Sequence, residues 1–110
     1  MSGPQSDVLL QLAATINARR MAAAESSYTR QLLDAGPARC AKKFGEEAVE
    51  TVIAATAEDD DALKSEAADL LYHLLVLLES RNVSLEDVLA VLAKRQGISG
   101  LQEKAERSHR

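Results

Sequence analysis

Glu47 and Glu50 stand three residues apart, and after fifteen intervening residues Glu66 and Asp69 repeat that spacing. Residues three apart share one helix face, so each pair can aim its oxygens at a single spot. Carried on two antiparallel helices, the four would offer hard oxygen ligands suited to Mg²⁺ or a similar ion, with positions left for water and substrate phosphates. Arg39, Lys42 and Lys43 lie just upstream. Cations at a helix start oppose the helix dipole, and binding of phosphate oxygens would give them a reason to be there, though solvated lysines look the same. Glu46, Glu47 and Glu50 taken alone also fit a solvated acidic face. Glu66 and Asp69 do not fit it as easily: they border the most apolar stretch of the chain, and no Lys or Arg occurs from Ser65 to Ser80 to neutralise them. A buried carboxylate needs a cation or good hydrogen bonds, and a metal shared with Glu47 and Glu50 would supply one.

The elements that would position these residues are all helical. Ser6 or Asp7 can cap a first helix, in which Val8, Leu9, Leu12, Ala13 and Ile16 recur at helical spacing up to about Met21, with Arg19 and Arg20 countering its dipole. After a loop over 22–27, Ser26 or Ser27 can cap a short helix from Tyr28 to about Ala35, which Gly36-Pro37 ends. A long helix is predicted from about Ala38 to Glu58, with Ala41, Phe44, Ala48 and Val52 as its apolar stripe and the acids opposite. The acidic turn from Glu58 to Asp61 caps a fourth helix running to about Arg81, antiparallel to the third because the connection is short. From Leu70 to Leu78 this fourth helix is apolar nearly all round, which in so small a domain predicts a subunit interface and a homodimer. Asn82 ends it, and Ser84 caps a fifth helix carrying Leu85, Val88, Leu89, Val91 and Leu92. His73, Cys40, Tyr28 and Tyr72 read as core or packing residues.

The 110 residues suit one domain over 1–96, followed by a charged tail over 97–110 that is expected to be mobile. A net charge of −4 argues against a nucleic-acid partner. No apolar run is long enough for a membrane span, and the single Cys40 suits a reducing compartment, so a cytoplasmic protein is expected.

Glu46-Glu47-x-x-Glu50 followed by Glu66-x-x-Asp69 resembles the metal signature of the all-α nucleotide pyrophosphohydrolase superfamily that includes MazG and the dimeric dUTPase-like enzymes. Ser27-Tyr28-Thr29, Leu32-Leu33, Gly36-Pro37, Lys42-Lys43-x-Gly45-Glu46-Glu47-Ala48-x-Glu50 and the run from Glu66 to Leu78 resemble, more narrowly, the phosphoribosyl-ATP pyrophosphatase family of histidine biosynthesis. The resemblance spans about Leu9 to Arg95. It implies an all-α bundle of about five helices of the MazG-like type, and Mg²⁺-dependent hydrolysis of phosphoribosyl-ATP to phosphoribosyl-AMP and pyrophosphate. Glu47, Glu50, Glu66 and Asp69 would then hold Mg²⁺, Glu46 would orient or deprotonate the attacking water together with Glu47, and Lys42, Lys43 and Arg39 would contact phosphate. The cyclohydrolase of the next step is expected on a separate chain. Two other readings share parts of the pattern: a house-cleaning (d)NTP pyrophosphatase with the same metal cluster, and a non-enzymatic helical dimerisation module.

Overall fold

A computed structural model describes residues 7–96, which form five α-helices and, among those residues, no strand. The helices are α1 (Val8–Ala18), α2 (Tyr28–Ala35), α3 (Pro37–Ala57), α4 (Asp60–Ser80) and α5 (Leu85–Arg95). None is long and apolar enough to cross a membrane. The tail expected over 97–110 lies outside the described residues.

Local chemistry sets most of the boundaries. Ser27 Oγ accepts from the Arg30 N–H, Asp59 Oδ1 from the Ala62 N–H and Ser84 Oγ from the Asp87 N–H, so three helices start at the expected capping residues. Gly36 separates α2 from α3 at φ +95°, where a β-carbon would be strained, and Pro37 opens α3 as its first residue. At the far end of α4 the Val83 N–H donates to the Leu78 carbonyl and the Asn82 N–H to the Glu79 carbonyl, with Asn82 left-handed at φ +58°. That pair of bonds is a Schellman closure, and Asn82 ends the helix as its sequence position suggests. The start of α1 differs: Asp7 makes no capping bond through its side chain, and Ser6 is outside the described residues. Its end differs too, because Arg19–Met21 tighten into a 3₁₀ turn, followed by a second over Ala24–Ser26.

The antiparallel pair α3 and α4 forms the spine, and α1 and α2 lean on α4 and α3. Ile16, Leu32, Cys40, Leu75, Val76 and Leu85, drawn from all five helices, make the core. Cys40 Sγ donates to the Leu32 carbonyl across the α2–α3 corner, and burial pushes its thiol pKa up. Leu85 brings α5 in only at its first residue.

One packing expectation needs correction. The face of α3 turned to α4 is not the stripe of Ala41, Phe44, Ala48 and Val52. Phe44 and Ala48 are half-buried, but Ala41 and Val52 are exposed, Val52 by 62%, and Val49 and Ile53 lie open beside it. Cys40, Glu47, Thr51 and Ala54 turn inward instead, and the Thr51 hydroxyl sits 2.8 Å from the Glu47 carbonyl and 3.2 Å from the Glu66 carbonyl of α4. Glu47, Thr51 and Ala54 are spaced by four and three and Cys40 lies seven before Glu47, which keeps one narrow seam against a neighbouring helix. The apolar row is the adjacent sector, about a quarter-turn away on the helix wheel. Within one chain α4 buries His73, Leu75 and Val76 and leaves Leu71 exposed.

Candidate metal centre

The α3–α4 seam carries the acids. A ligand atom from each of Glu47, Glu66 and Asp69 falls within 4.8 Å of the others, the only such group of potential metal ligands among the described residues. The chain reaches this arrangement because Thr51, one turn after Glu47, ties α3 to the α4 backbone at Glu66 and so fixes the register. Glu47 and Glu66 are half-buried and Asp69 is exposed. The expectation that Glu66 and Asp69 are both buried is therefore corrected for Asp69, which lies open at this edge of α4. The buried oxygens are Glu47 Oε2 and Glu66 Oε2, and neither has a hydrogen-bond partner.

Electrostatics follow from this crowding. Burial first, and then the neighbouring Glu50 carboxyl, push the Glu47 pKa up, with Asp69 adding to the rise. Glu66 is raised by burial first, then by Glu50, Asp69 and Glu47. Glu50, the fourth predicted ligand, is exposed and is not among the converging acids; with Ile53, Glu58 and Glu66 it lines a cleft of about 300 Å³. Four carboxylates repel one another unless protons or a cation intervene. The two orphaned buried oxygens and an all-oxygen donor set fit a hard divalent cation such as Mg²⁺.

The remaining candidates lie to one side. Lys43 Nζ pairs with Glu46 Oε1 at 3.1 Å. That bond is the main reason the Glu46 carboxyl is held below its usual range, Lys43's charge adding to it and Lys42 and Arg39 contributing more weakly. The Lys43 ammonium is raised chiefly by its hydrogen bond with Glu46, then by the Tyr28 phenol and the Glu46 charge. Glu46, Lys42, Lys43 and Arg39 accordingly form a charged rim on the first half of α3, and Glu46 is not among the acids that converge.

His73 is buried, as its place on an apolar helix suggests, yet it also adjoins the site. Its Nδ1 lies 2.9 Å from the Asp69 carbonyl oxygen and its Nε2 lies 3.5 Å from Tyr28 Oη. Tyr72 is a packing residue, its hydroxyl bonded to that of Thr29 and its ring edge-on to His73. Tyr28 is not, for half of it is exposed. Thr51, Glu58 and the exposed Tyr28 went unflagged in the sequence because single residues of these types carry no spacing signal.

Comparison with known proteins agrees with the narrower resemblance. The sequence model of the family described as phosphoribosyl-ATP pyrophosphohydrolase matches residues 9–96. A protein of Rhodopseudomonas palustris named phosphoribosyl-ATP pyrophosphatase 1 is 62% identical over 99 residues, covering 90% of this chain and 92% of its own. A protein of the same name from Bradyrhizobium diazoefficiens is 62% identical over 96 residues, covering 87% and 91%. A phosphoribosyl-ATP pyrophosphatase of a Jannaschia species is 61% identical over 99 residues, covering 90% and 97%.

Proposed function

Because the chain belongs to the phosphoribosyl-ATP pyrophosphohydrolase family, we propose that it hydrolyses phosphoribosyl-ATP between the α- and β-phosphates, giving phosphoribosyl-AMP and pyrophosphate in histidine biosynthesis. Membership of a hydrolase family sets aside the reading of a purely structural dimerisation module. The observation that carries the chemistry is the convergence of Glu47, Glu66 and Asp69 with two buried, partnerless oxygens.

Glu47, Glu50, Glu66 and Asp69 would hold Mg²⁺, which when bound would supply positive charge to offset the negative charge developing on the phosphate oxygens. Glu46, one residue before the cluster, and Glu47 would orient the attacking water and take its proton. Glu46 starts that role paired with Lys43, so the pair would have to open or turn toward the anhydride. Lys42, Lys43 and Arg39 would neutralise the substrate's outer phosphates from the rim. We further propose a homodimer in which Leu71 of α4 and the open Val49, Val52 and Ile53 of α3 are covered; Val52→Glu would shift it towards monomer in sedimentation. The cyclohydrolase is proposed to be a separate chain, a reading supported by relatives matched over nine-tenths of their length whose names carry the pyrophosphatase alone.

The test is pyrophosphate release from phosphoribosyl-ATP beside a panel of NTPs and dNTPs, with Mg²⁺ and with chelator. Mg²⁺-dependent turnover of phosphoribosyl-ATP alone is expected. Preference for a dNTP would move the chain to nucleotide-pool cleaning.

A further inference from the structure

Tyr28 opens α2 directly after the buried Ser27 cap, and half of it stays open to solvent. It lies between the His73 side of the site and the charged rim. Its ring meets His73 edge-on, with centroids 6.2 Å apart at 75°, and His73 Nδ1 bonds the backbone carbonyl of Asp69, one of the converging acids. On the other side its phenol is close enough to Lys43 to act on that ammonium.

The hydrogen bonds fix what this phenol can offer. The Asp69 carbonyl can only accept, so His73 Nδ1 carries a proton and donates to it. In the neutral ring Nε2 is then a bare acceptor. The Tyr28 O–H, 3.5 Å away, is the donor that faces it. With its proton turned inward, the phenol oxygen presents lone pairs outward and accepts from whatever binds there. Phosphate oxygens, which bear no proton at neutral pH, are poor partners for it. A ribosyl hydroxyl is a good one, and in phosphoribosyl-ATP a ribose is bonded directly to the α-phosphate, hence next to the bond that breaks.

We propose that Tyr28 is a substrate-binding residue of this site, oriented by His73 so that its oxygen accepts a hydrogen bond from a ribosyl hydroxyl of the nucleotide. The inference rests on the functional reading above, with His73 as a positioning residue.

Steady-state kinetics on phosphoribosyl-ATP and its 2′-deoxy and 3′-deoxy analogues, with wild type, Tyr28→Phe, His73→Asn and the double variant, test it. Tyr28→Phe is expected to raise KM about 3- to 10-fold, the worth of one hydrogen bond, with kcat within about twofold and an unchanged melting temperature. One deoxy analogue should lose as much on wild type and nothing further on Tyr28→Phe. His73→Asn keeps a donor for the Asp69 carbonyl and drops Nε2; it should raise KM similarly, and the double variant should add nothing. Two results overturn the inference alone: Tyr28→Phe with wild-type KM on an active wild type, or deoxy analogues penalised equally on wild type and Tyr28→Phe. A fall in kcat at constant KM also overturns it, since the contact would then belong to the transition state. If wild type prefers a dNTP, the functional reading fails and the same KM comparison on that nucleotide decides Tyr28; a wild type inactive on every nucleotide overturns both.

Discussion

Glu79 and Glu66 sit on one helix and meet opposite fates. Glu79, in the last turn of α4, has a side chain only 17% exposed, and the fold surrounds it with donors. Asn17 donates to it at 3.0 Å, and the Arg20 guanidinium pairs with its carboxylate while also reaching its carbonyl oxygen and Asn82. Glu66 has a buried oxygen with no donor and three carboxylates for company. The difference shows that this fold can bring a cation to an acid on α4, and that at Glu66 it does not. Arg20 was expected to counter the dipole at the end of α1; it serves the end of α4 instead, satisfying one of that helix's last carbonyls. If Glu66 holds a divalent ion as proposed, it has to be left unpaired, whereas Glu79, with only a structural task, is paired from within.

That contrast can be broken from either side. Asp69→Asn removes an exposed proposed ligand at little structural cost and is expected to lower kcat more than about 100-fold, since even groups behind a metal ligand are worth about 10–100-fold, with the far-UV dichroism unchanged. Near-normal turnover would remove Asp69 from the site. Next in size, Mg²⁺ at about 100 times its Kd should stabilise wild type by about 2.7 kcal/mol in melts, and Glu66→Gln should lose most of that gain while melting higher than wild type in chelator. Arg20→Met tests the paired end: a loss of about 1–2 kcal/mol is expected, moderated because the guanidinium is partly exposed, with kcat per folded molecule unchanged. The smallest effect is in pH. Glu47 and Glu66 have raised pKa values in the folded chain, so the folded state binds more protons than the unfolded one, and stability falls as pH rises through their folded pKa values. In chelator the melting temperature should therefore decline as pH rises above the ordinary carboxylate range, and Mg²⁺ should flatten or reverse that slope.

Much of this was legible before any coordinates. Ser27, Gly36-Pro37, Asp59, Asn82 and Ser84 mark helix ends through bonds within three or four residues, which sequence displays directly. The spacing of Glu47, Glu50, Glu66 and Asp69 is also local, once two helices are known to be antiparallel. What stayed hidden depends on which neighbour a face meets. A wheel drawn for α3 finds the apolar row of Phe44, Ala48 and Val52 but cannot say that α4 lies against Cys40, Glu47, Thr51 and Ala54. The partnership of Arg20 with Glu79 spans 59 positions, and no pattern joins them. Tyr28 looked like packing because aromatics usually are; its exposure depends on where α2 crosses α3.

The corner where Cys40 bonds the Leu32 carbonyl has a practical consequence. A thiol that is 1% exposed, with its ionisation suppressed by burial, cannot meet an alkylating reagent while α2 rests on α3. Its labelling rate is therefore a clock for transient opening of that joint, and since the chain has no other cysteine, the clock reads one place only.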